Sequence, residues 1–329
     1  MTKLKNKSSA FYAAVDIGTQ TFRLAVACLS KHGISLKKSK LVNVRLGEGL
    51  SENGGRIVNT AMARAEDALH DFSKTIEKFS PCQVYAVATA AMRQAPNAHR
   101  LLNLAERLAI PLEIIDWKKE AAFSWKGVNY ALGRLAEPSL VVDIGGGSTE
   151  FLLAKGNKIL YCNSFNKGAV NLTNKIKPSD PPTTKQKRIL MKEAASLVLR
   201  VKEQLPLEPQ KLVGVGGTAT TLAAMDLKLD KYDPAKIRGY HLALQSLEKM
   251  WNDMNQETVM QRAMRPGLES HRADIILAGT ALMIEIMMGL NKKEIVVSDG
   301  GLLLGILITM IEREYPEHVK SPNTHSLYL

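Results

Sequence analysis

Apolar and polar positions along the chain switch between two periods. Ala13–Val15 and Phe22–Cys28 form short apolar blocks on either side of a polar turn at Asp16, the pattern of two strands. Lys37–Leu46 alternates more weakly and would add a third strand. Ile57, Ala61, Ala65, Ala68, Leu69 and Phe72 then recur every three to four residues, which predicts an amphipathic helix. Val84–Ala88 and Leu112–Ile115 read as strands, Asn97–Leu108 and Lys118–Asn129 as helices. This alternation of strand and helix predicts an α/β domain.

After a break at Gly133–Pro138 the pattern restarts. Val142-Asp143-Ile144-Gly145 repeats Val15-Asp16-Ile17-Gly18, aligning Asp143 with Asp16 and Gly145 with Gly18 without a gap. Lys175–Lys187, with Pro178, Pro181 and Pro182, reads as a surface loop. Ile189–Gln204 reads as a helix, Leu212–Val215 as a strand and Thr218–Met225 as the helix after it. Glu294–Val297 is a further strand, and Gly301–Arg313 a helix after the Asp299-Gly300-Gly301 turn. The organisation expected is two similar α/β domains, 1–131 and 132–304, with a helix at about 305–320 packing back on the first. The two Asp-Ile-Gly turns would then face each other across an interdomain cleft, where ligands are expected to bind.

An unpaired carboxylate at the end of a buried strand is costly, so Asp16 and Asp143 call for a chemical reason. Gly145, Gly146 and Gly147 let the backbone approach a ligand and turn amide N–H groups into a concave nest that suits an anion. Ser148 and Thr149 add hydroxyls. By alignment, Gly18, Thr19, Gln20 and Thr21 form a matching phosphate-binding turn. Asp143 and Glu150 would repel phosphate unless a hard divalent cation, Mg²⁺ above all, lay between, with Asp16 as a further candidate ligand. A third glycine turn, Gly216-Gly217-Thr218, leads from a strand into a helix whose N-terminus would face an anion. It is not a dinucleotide fingerprint, because Thr221 stands where the third glycine would be. Arg93 follows a predicted strand and could grip a phosphoryl group, and Glu120 opens a helix.

Composition narrows the partners. Of the 329 residues 45% are hydrophobic and 23% charged, as in ordinary globular proteins, and the length suffices for two domains. A net charge of +12 favours polyanionic partners. Lys3, Lys5 and Lys7 contribute from a start that reads as solvated. Aromatic residues at 5% and the lack of a nucleic-acid-binding motif argue against a specific nucleic-acid partner. Cys28, Cys82 and Cys162 are too scattered for a zinc site and suit a reducing compartment. With no secretory signal, and with Gly301–Ile311 too short to span a bilayer, a cytoplasmic protein without a membrane partner is expected.

These residues resemble one family. Asp16-Ile17-Gly18, Ala88–Arg93 with Asn97, Glu120-Ala121, Asp143–Glu150, Val215–Thr221, Arg272-Ala273-Asp274 and Ser298-Asp299 together are similar to the exopolyphosphatase and guanosine pentaphosphate phosphatase family. The resemblance covers residues from about 11 to 312 and points to its short, two-domain members. It implies an actin-like (ribonuclease H-like) fold of the actin, Hsp70 and sugar-kinase group. It also implies a phosphohydrolase that removes the terminal phosphate from inorganic polyphosphate, or alternatively from guanosine penta- or tetraphosphate. Carried over by position, Glu120 would be the general base, Asp143 and Glu150 the metal-linked carboxylates, and Arg93 a ligand of the terminal phosphate together with Gly145–Ser148. A binding protein that senses such a polyphosphate without cleaving it is the reading from another class. A homodimer is compatible with the sequence.

The chain departs from the family at three places. Gly18-Thr19-Gln20-Thr21 stands where Gly-Ser-Asn-Ser is usual. Glu120 is a lone acid after Lys118 and Lys119, and Leu302-Leu303-Leu304-Gly305 stands for Leu-Arg-Glu-Gly.

Overall fold

The computed structural model describes residues 11–316 apart from 31, 32, 51 and 134. The Lys3–Lys7 segment and the last residues of the helix expected at 305–320 lie outside this range. Two compact units emerge: one runs to Gly127 and takes up the chain again at Leu302, and the other is Val128–Gly301.

The first unit holds strands β1 (Phe11–Ile17), β2 (Thr21–Ser30), β3 (Gly33–Asn43), β4 (Cys82–Ala88) and β5 (Leu112–Ile114), in the sheet order β3-β2-β1-β4-β5. β1 to β3 are antiparallel, whereas β4 and β5 run parallel to β1. Helices α1 (Asn59–Glu77), α2 (Ala90–Gln94) and α3 (His99–Arg107) follow the strands, as does α4 (Trp117–Ala131), whose last residues belong to the second unit. Alternation along β1 sends Ala13, Val15 and Ile17 into a core with Phe22, Leu24, Met62, Leu69, Phe72 and Leu101. Tyr12, Ala14 and Asp16 therefore fall on the other face. A slip of one residue would bury Asp16 in that core.

The second unit holds β6 (Ser139–Ile144), β7 (Thr149–Lys155), β8 (Lys158–Phe165), β9 (Lys211–Val215), β10 (Tyr240–Ala243) and β11 (Glu294–Val297). Its sheet order is β10-β11-β9-β6-β7-β8. Read from the β8 edge, β8-β7-β6-β9-β11 repeats the first sheet strand for strand, with β10 added antiparallel at the end. Its helices are α5 (Ala169–Ile176), α6 (Thr184–Gln204), α7 (Gly216–Asp226), α8 (Pro234–Ile237), α9 (Leu244–Met254), α10 (Val259–Arg262) and α11 (Ile276–Gly289). Leu140, Val142 and Ile144 face the core, which again leaves the aspartate, Asp143, on the opposite face.

The last helix, α12 (Leu302–Glu314), packs on β1 and β2 of the first unit. The buried Tyr12 hydroxyl and the Gln83 amide both donate to the Glu314 carboxylate, and Lys126 donates to Glu312 and Thr309. Burial, reinforced by Glu314, pushes the Tyr12 phenol well above its ordinary pKa. No helix of the described residues is long and apolar enough to cross a membrane.

The α/β class and the actin-like units stand as read from the sequence. Several elements differ. β3 runs from Gly33 only to Asn43, so Val44 and Leu46 belong to the loop that follows. The loop expected over Lys175–Lys187 shrinks to 177–183, because α5 runs to Ile176 and a capping box of Thr183 and Gln186 starts α6 at Thr184.

Candidate active site

In both units the Asp-Gly turn is built the same way. Gly18 N–H donates to Thr21 O at 3.2 Å, and Gly145 N–H to Ser148 O at 3.0 Å, closing each hairpin. The segment after each unit's third strand then takes up the turn's carbonyls. In the first unit, Gly47 N–H donates to Thr19 O, and Val44 and Arg45 N–H to Gln20 O, at 2.8–3.1 Å. In the second, Ala169 N–H donates to Gly145 O at 2.9 Å, and Val170 and Asn171 N–H to Gly146 O at 2.9 and 3.1 Å. Gly168 N–H reaches Gly147 O at 3.3 Å and the Asn171 side chain reaches it at 2.6 Å.

Helix starts leave N–H groups without intrahelical partners, and at α5 those donors meet the loop's carbonyls. In a trans peptide the N–H points opposite to the C=O. With the carbonyls of Gly145, Gly146 and Gly147 turned to α5, the amides of Gly146, Gly147 and Ser148 face away from it. None of these three amides has a hydrogen-bond partner among the described residues. Three amides without a partner on one turn could form an anion nest. Gly47 and Gly168 hold equivalent posts: a Cβ on Gly47 would overlap the Thr19 side chain, and one on Gly168 the Gly146 carbonyl.

The two turns differ in what faces the aspartate. Asp143 pairs across the ladder with Glu150, and Glu150 with Ser164, whose hydroxyl donates to it at 2.6 Å. Asp16 pairs instead with Arg23, and Arg23 with Leu41. Cross-strand partners lie about 5 Å apart at their Cβ atoms, so Asp143 and Glu150 form a like-charge pair and Asp16 sits beside a guanidinium. No cluster of three or more potential metal ligands occurs among the described residues. An ion at the Asp143–Glu150 pair would complete its shell with water or substrate oxygens, which is how Mg²⁺ is usually held.

The third turn packs against this pair. Gly216, at φ +76°, starts α7, and a Cβ there would overlap Asp143 Oδ1. The Arg272 guanidinium lies against Gly217 and is held by a 2.6 Å bond from its Nε to Glu269. A buried guanidinium beside a helix N-terminus is electrostatically favourable when an anion joins them.

In the first unit, α2 carries Arg93 and the first turn of α4 carries Glu120. Arg93 Nη1 donates to Glu120 Oε2 at 2.7 Å and to Ile115 O at 2.9 Å. Arg93 thus sits on a short helix after β4, where the strand–helix pattern suggested a loop.

Three polar side chains of the expected phosphate sites have partners within their own unit. Thr149 is fully buried and its hydroxyl donates to Lys167 O at 2.7 Å, away from the nest. The Thr218 hydroxyl donates to Ile144 O at 2.8 Å, which ties α7 to the end of β6. Gln20 is buried and its amide donates to Asn43 Oδ1 at 3.2 Å, toward the end of β3. In each case a polar side chain turns to a carbonyl or amide of its own unit, since burying it unpaired would be costlier. Sequence reasoning missed Lys167, Gly168 and Asn171 altogether, because neither β8 nor α5 was read. Lys167 anchors this turn to α6 through Glu193 and Ser196. Hydrogen bonds from Lys175 and Lys167 hold the Glu193 carboxyl below its usual pKa.

Two units of one topology, each with a clamped Asp-Gly turn, define an actin-like α/β protein. The chain belongs to the Ppx/GppA phosphatase family, which matches residues 26–314. It is 31% identical over 319 residues to "Exopolyphosphatase 2" of Mycobacterium tuberculosis, covering 91% of this chain and 98% of that protein. Among solved structures it resembles an exopolyphosphatase from Cytophaga hutchinsonii, with a TM-score of 0.85 at 27% identity over 92% of this chain and 98% of that one. The Aquifex aeolicus member of the Ppx/GppA family gives a TM-score of 0.79 at 30% identity, covering 93% and 98%.

Proposed function

We propose that the chain is a cytoplasmic exopolyphosphatase that releases terminal orthophosphate from inorganic polyphosphate. The observation that carries this reading is the nest of three unpaired amides at Gly146, Gly147 and Ser148 beside the facing carboxylates Asp143 and Glu150. A metal–phosphate pair suits both halves of that arrangement: the amides can hold an anion, and the carboxylates can ligate a cation. Donors that are all oxygen fit Mg²⁺, which when bound neutralises charge on phosphate oxygens.

In this reading the amides of Gly146, Gly147 and Ser148, with the helix start at Gly216-Gly217 and the Arg272 guanidinium, hold phosphate oxygens. Arg93 exchanges its bond to Glu120 for the terminal phosphoryl group, and Glu120 then accepts a proton from the attacking water. The new bond is from water oxygen to phosphorus. The bridging P–O bond breaks, and the shortened chain leaves with the electron pair. Phosphoryl transfer of this kind needs positioning and charge neutralisation more than covalent help.

The test is orthophosphate release with Mg²⁺ from long-chain polyphosphate, guanosine pentaphosphate and ATP side by side, with Glu120→Gln as the control. Release from polyphosphate that needs Glu120 is the expected result. Preference for guanosine pentaphosphate would move the substrate to the other one weighed for this site. Tight binding with no release from any of the three would make the protein a sensor.

A further inference from the structure

We propose that Asn171 is a positioning residue that holds the phosphate-binding conformation of the Gly145–Ser148 turn. The proposal rests on the reading of that turn as the phosphate site.

A run of glycines gives the turn its nest, but it also removes the barriers that would keep it there. A peptide preceded by glycine flips at little steric cost, since glycine populates φ above and below zero alike. A flip of the Gly147–Ser148 peptide would point its carbonyl at the phosphate and withdraw the Ser148 N–H. Something outside the turn must therefore fix the Gly147 carbonyl.

The α5 backbone does this for the two preceding residues. Bonds of 2.9–3.1 Å from Ala169, Val170 and Asn171 hold the carbonyls of Gly145 and Gly146. At Gly147 the backbone of the described residues supplies only the 3.3 Å contact from Gly168 N–H. The 2.6 Å bond from Asn171 Nδ2 is the short one. Its second hydrogen goes to Asn166 Oδ1, also at 2.6 Å. Two acceptors on one nitrogen define which way the amide faces and lock its rotamer. Asn171 is thus braced from Asn166 and acts on the Gly147 carbonyl, which sets the direction of the Ser148 N–H through the planar peptide.

The corresponding turn of the first unit shows why the side chain is needed. Gln20 is aligned with Gly147, and its carbonyl receives two backbone bonds, from Val44 at 3.1 Å and Arg45 at 2.8 Å. The second unit replaces one of those backbone donors by Asn171.

The experiment compares Asn171→Leu, which keeps the volume without the donors, with Asn171→Gln, which keeps the amide. Orthophosphate release gives KM and kcat, calorimetry gives polyphosphate affinity without turnover, and thermal unfolding reports the fold. The expected result for Asn171→Leu is a rise in KM and in the dissociation constant of about tenfold, the size of one hydrogen bond to the ligand lost. Its kcat should change far less, and Asn171→Gln should recover most of the affinity. Unchanged affinity in a folded Asn171→Leu overturns the proposal. So does a loss shared equally by Asn171→Gln in step with its melting temperature. Should Asn171→Leu fail to fold, Asn166→Ala carries the test: a weaker rise in KM of the same kind is expected, and none would overturn the assignment. A wild type that binds polyphosphate without hydrolysing it would sink the proposed function, while the binding arm would still decide the role of Asn171.

Discussion

Arg93 Nη1 donates to Glu120 Oε2 at 2.7 Å, with only 22% and 13% of the two side chains exposed. The pair joins the helix after β4 to the helix after β5, so the parallel strands bring together residues 27 positions apart. A second bond from Arg93 Nη1 to Ile115 O fixes the guanidinium from the backbone side. Substrate phosphate would compete with Glu120 for the guanidinium, and Glu120 would then be released toward water.

If the two residues act as one unit, their losses should not add. Glu120→Gln should lower kcat by about 10²–10⁴, the range of general-base catalysis. Arg93→Met should lower kcat/KM by a comparable factor. The double variant should be little worse than the poorer single one. Orthophosphate release under saturating and limiting polyphosphate measures all three, and strictly multiplicative losses would separate the roles assigned to the pair.

Asp143 and Glu150 set up the second expectation. Like charges directly opposite each other across a strand pair are destabilising. Glu150→Gln keeps an acceptor for the Ser164 hydroxyl and removes one charge. Without divalent cation, the variant should therefore melt at the same temperature as the wild type or higher. Its Mg²⁺ requirement for activity should rise by about tenfold or more, as one of two carboxylate ligands is gone. A variant destabilised in chelator, with an unchanged Mg²⁺ requirement, would show that Glu150 is structural.

Much of this site was legible because its chemistry is local. The Asp-Ile-Gly repeats and the glycines of 145–147 carry their conformation within a few residues, and Asp143 lies seven positions from Glu150 on one hairpin. What clamps the turns was not legible. β8 is half-exposed along its length and shows no alternation, so it gave no strand signal, and α5 was lost in the polar stretch beyond it. α11 is buried on nearly every side and has no polar face to reveal its period. The contrast between Glu150 and Arg23 was present in the alignment of the two repeats. Its meaning needed the ladder register, which puts each residue directly opposite its aspartate.

Gly305 offers a test of how α12 is seated. A Cβ at this position would overlap the Phe123 carbonyl of α4. Gly305→Ala should force the helices apart and destabilise the protein by about 3 kcal/mol, the upper part of the usual range for overpacking. Chemical denaturation measures this directly. Leu303 and Leu304 are only half-buried, so Leu303→Ala should cost much less. Equal effects of the two substitutions would mean that the helix shifts freely on its sheet.

Glu285 yields a pH dependence whose sign can be worked out. It lies on α11 among buried apolar residues, and burial raises its carboxyl pKa above the usual value. A raised pKa means that the folded protein holds the proton more tightly than the unfolded chain does. Stability must then fall as pH climbs from the unfolded value of about 4.3 through the folded one, and the penalty is complete above it. Glu285→Gln removes the titration and leaves a neutral group of the same shape. The variant and the wild type should therefore melt close together at about pH 4, with the variant increasingly more stable as pH rises toward neutrality. Because both proteins share every other titrating group, the difference between their melting temperatures isolates this one. A gap that stays constant with pH would mean that the Glu285 carboxylate is not desolvated in the fold.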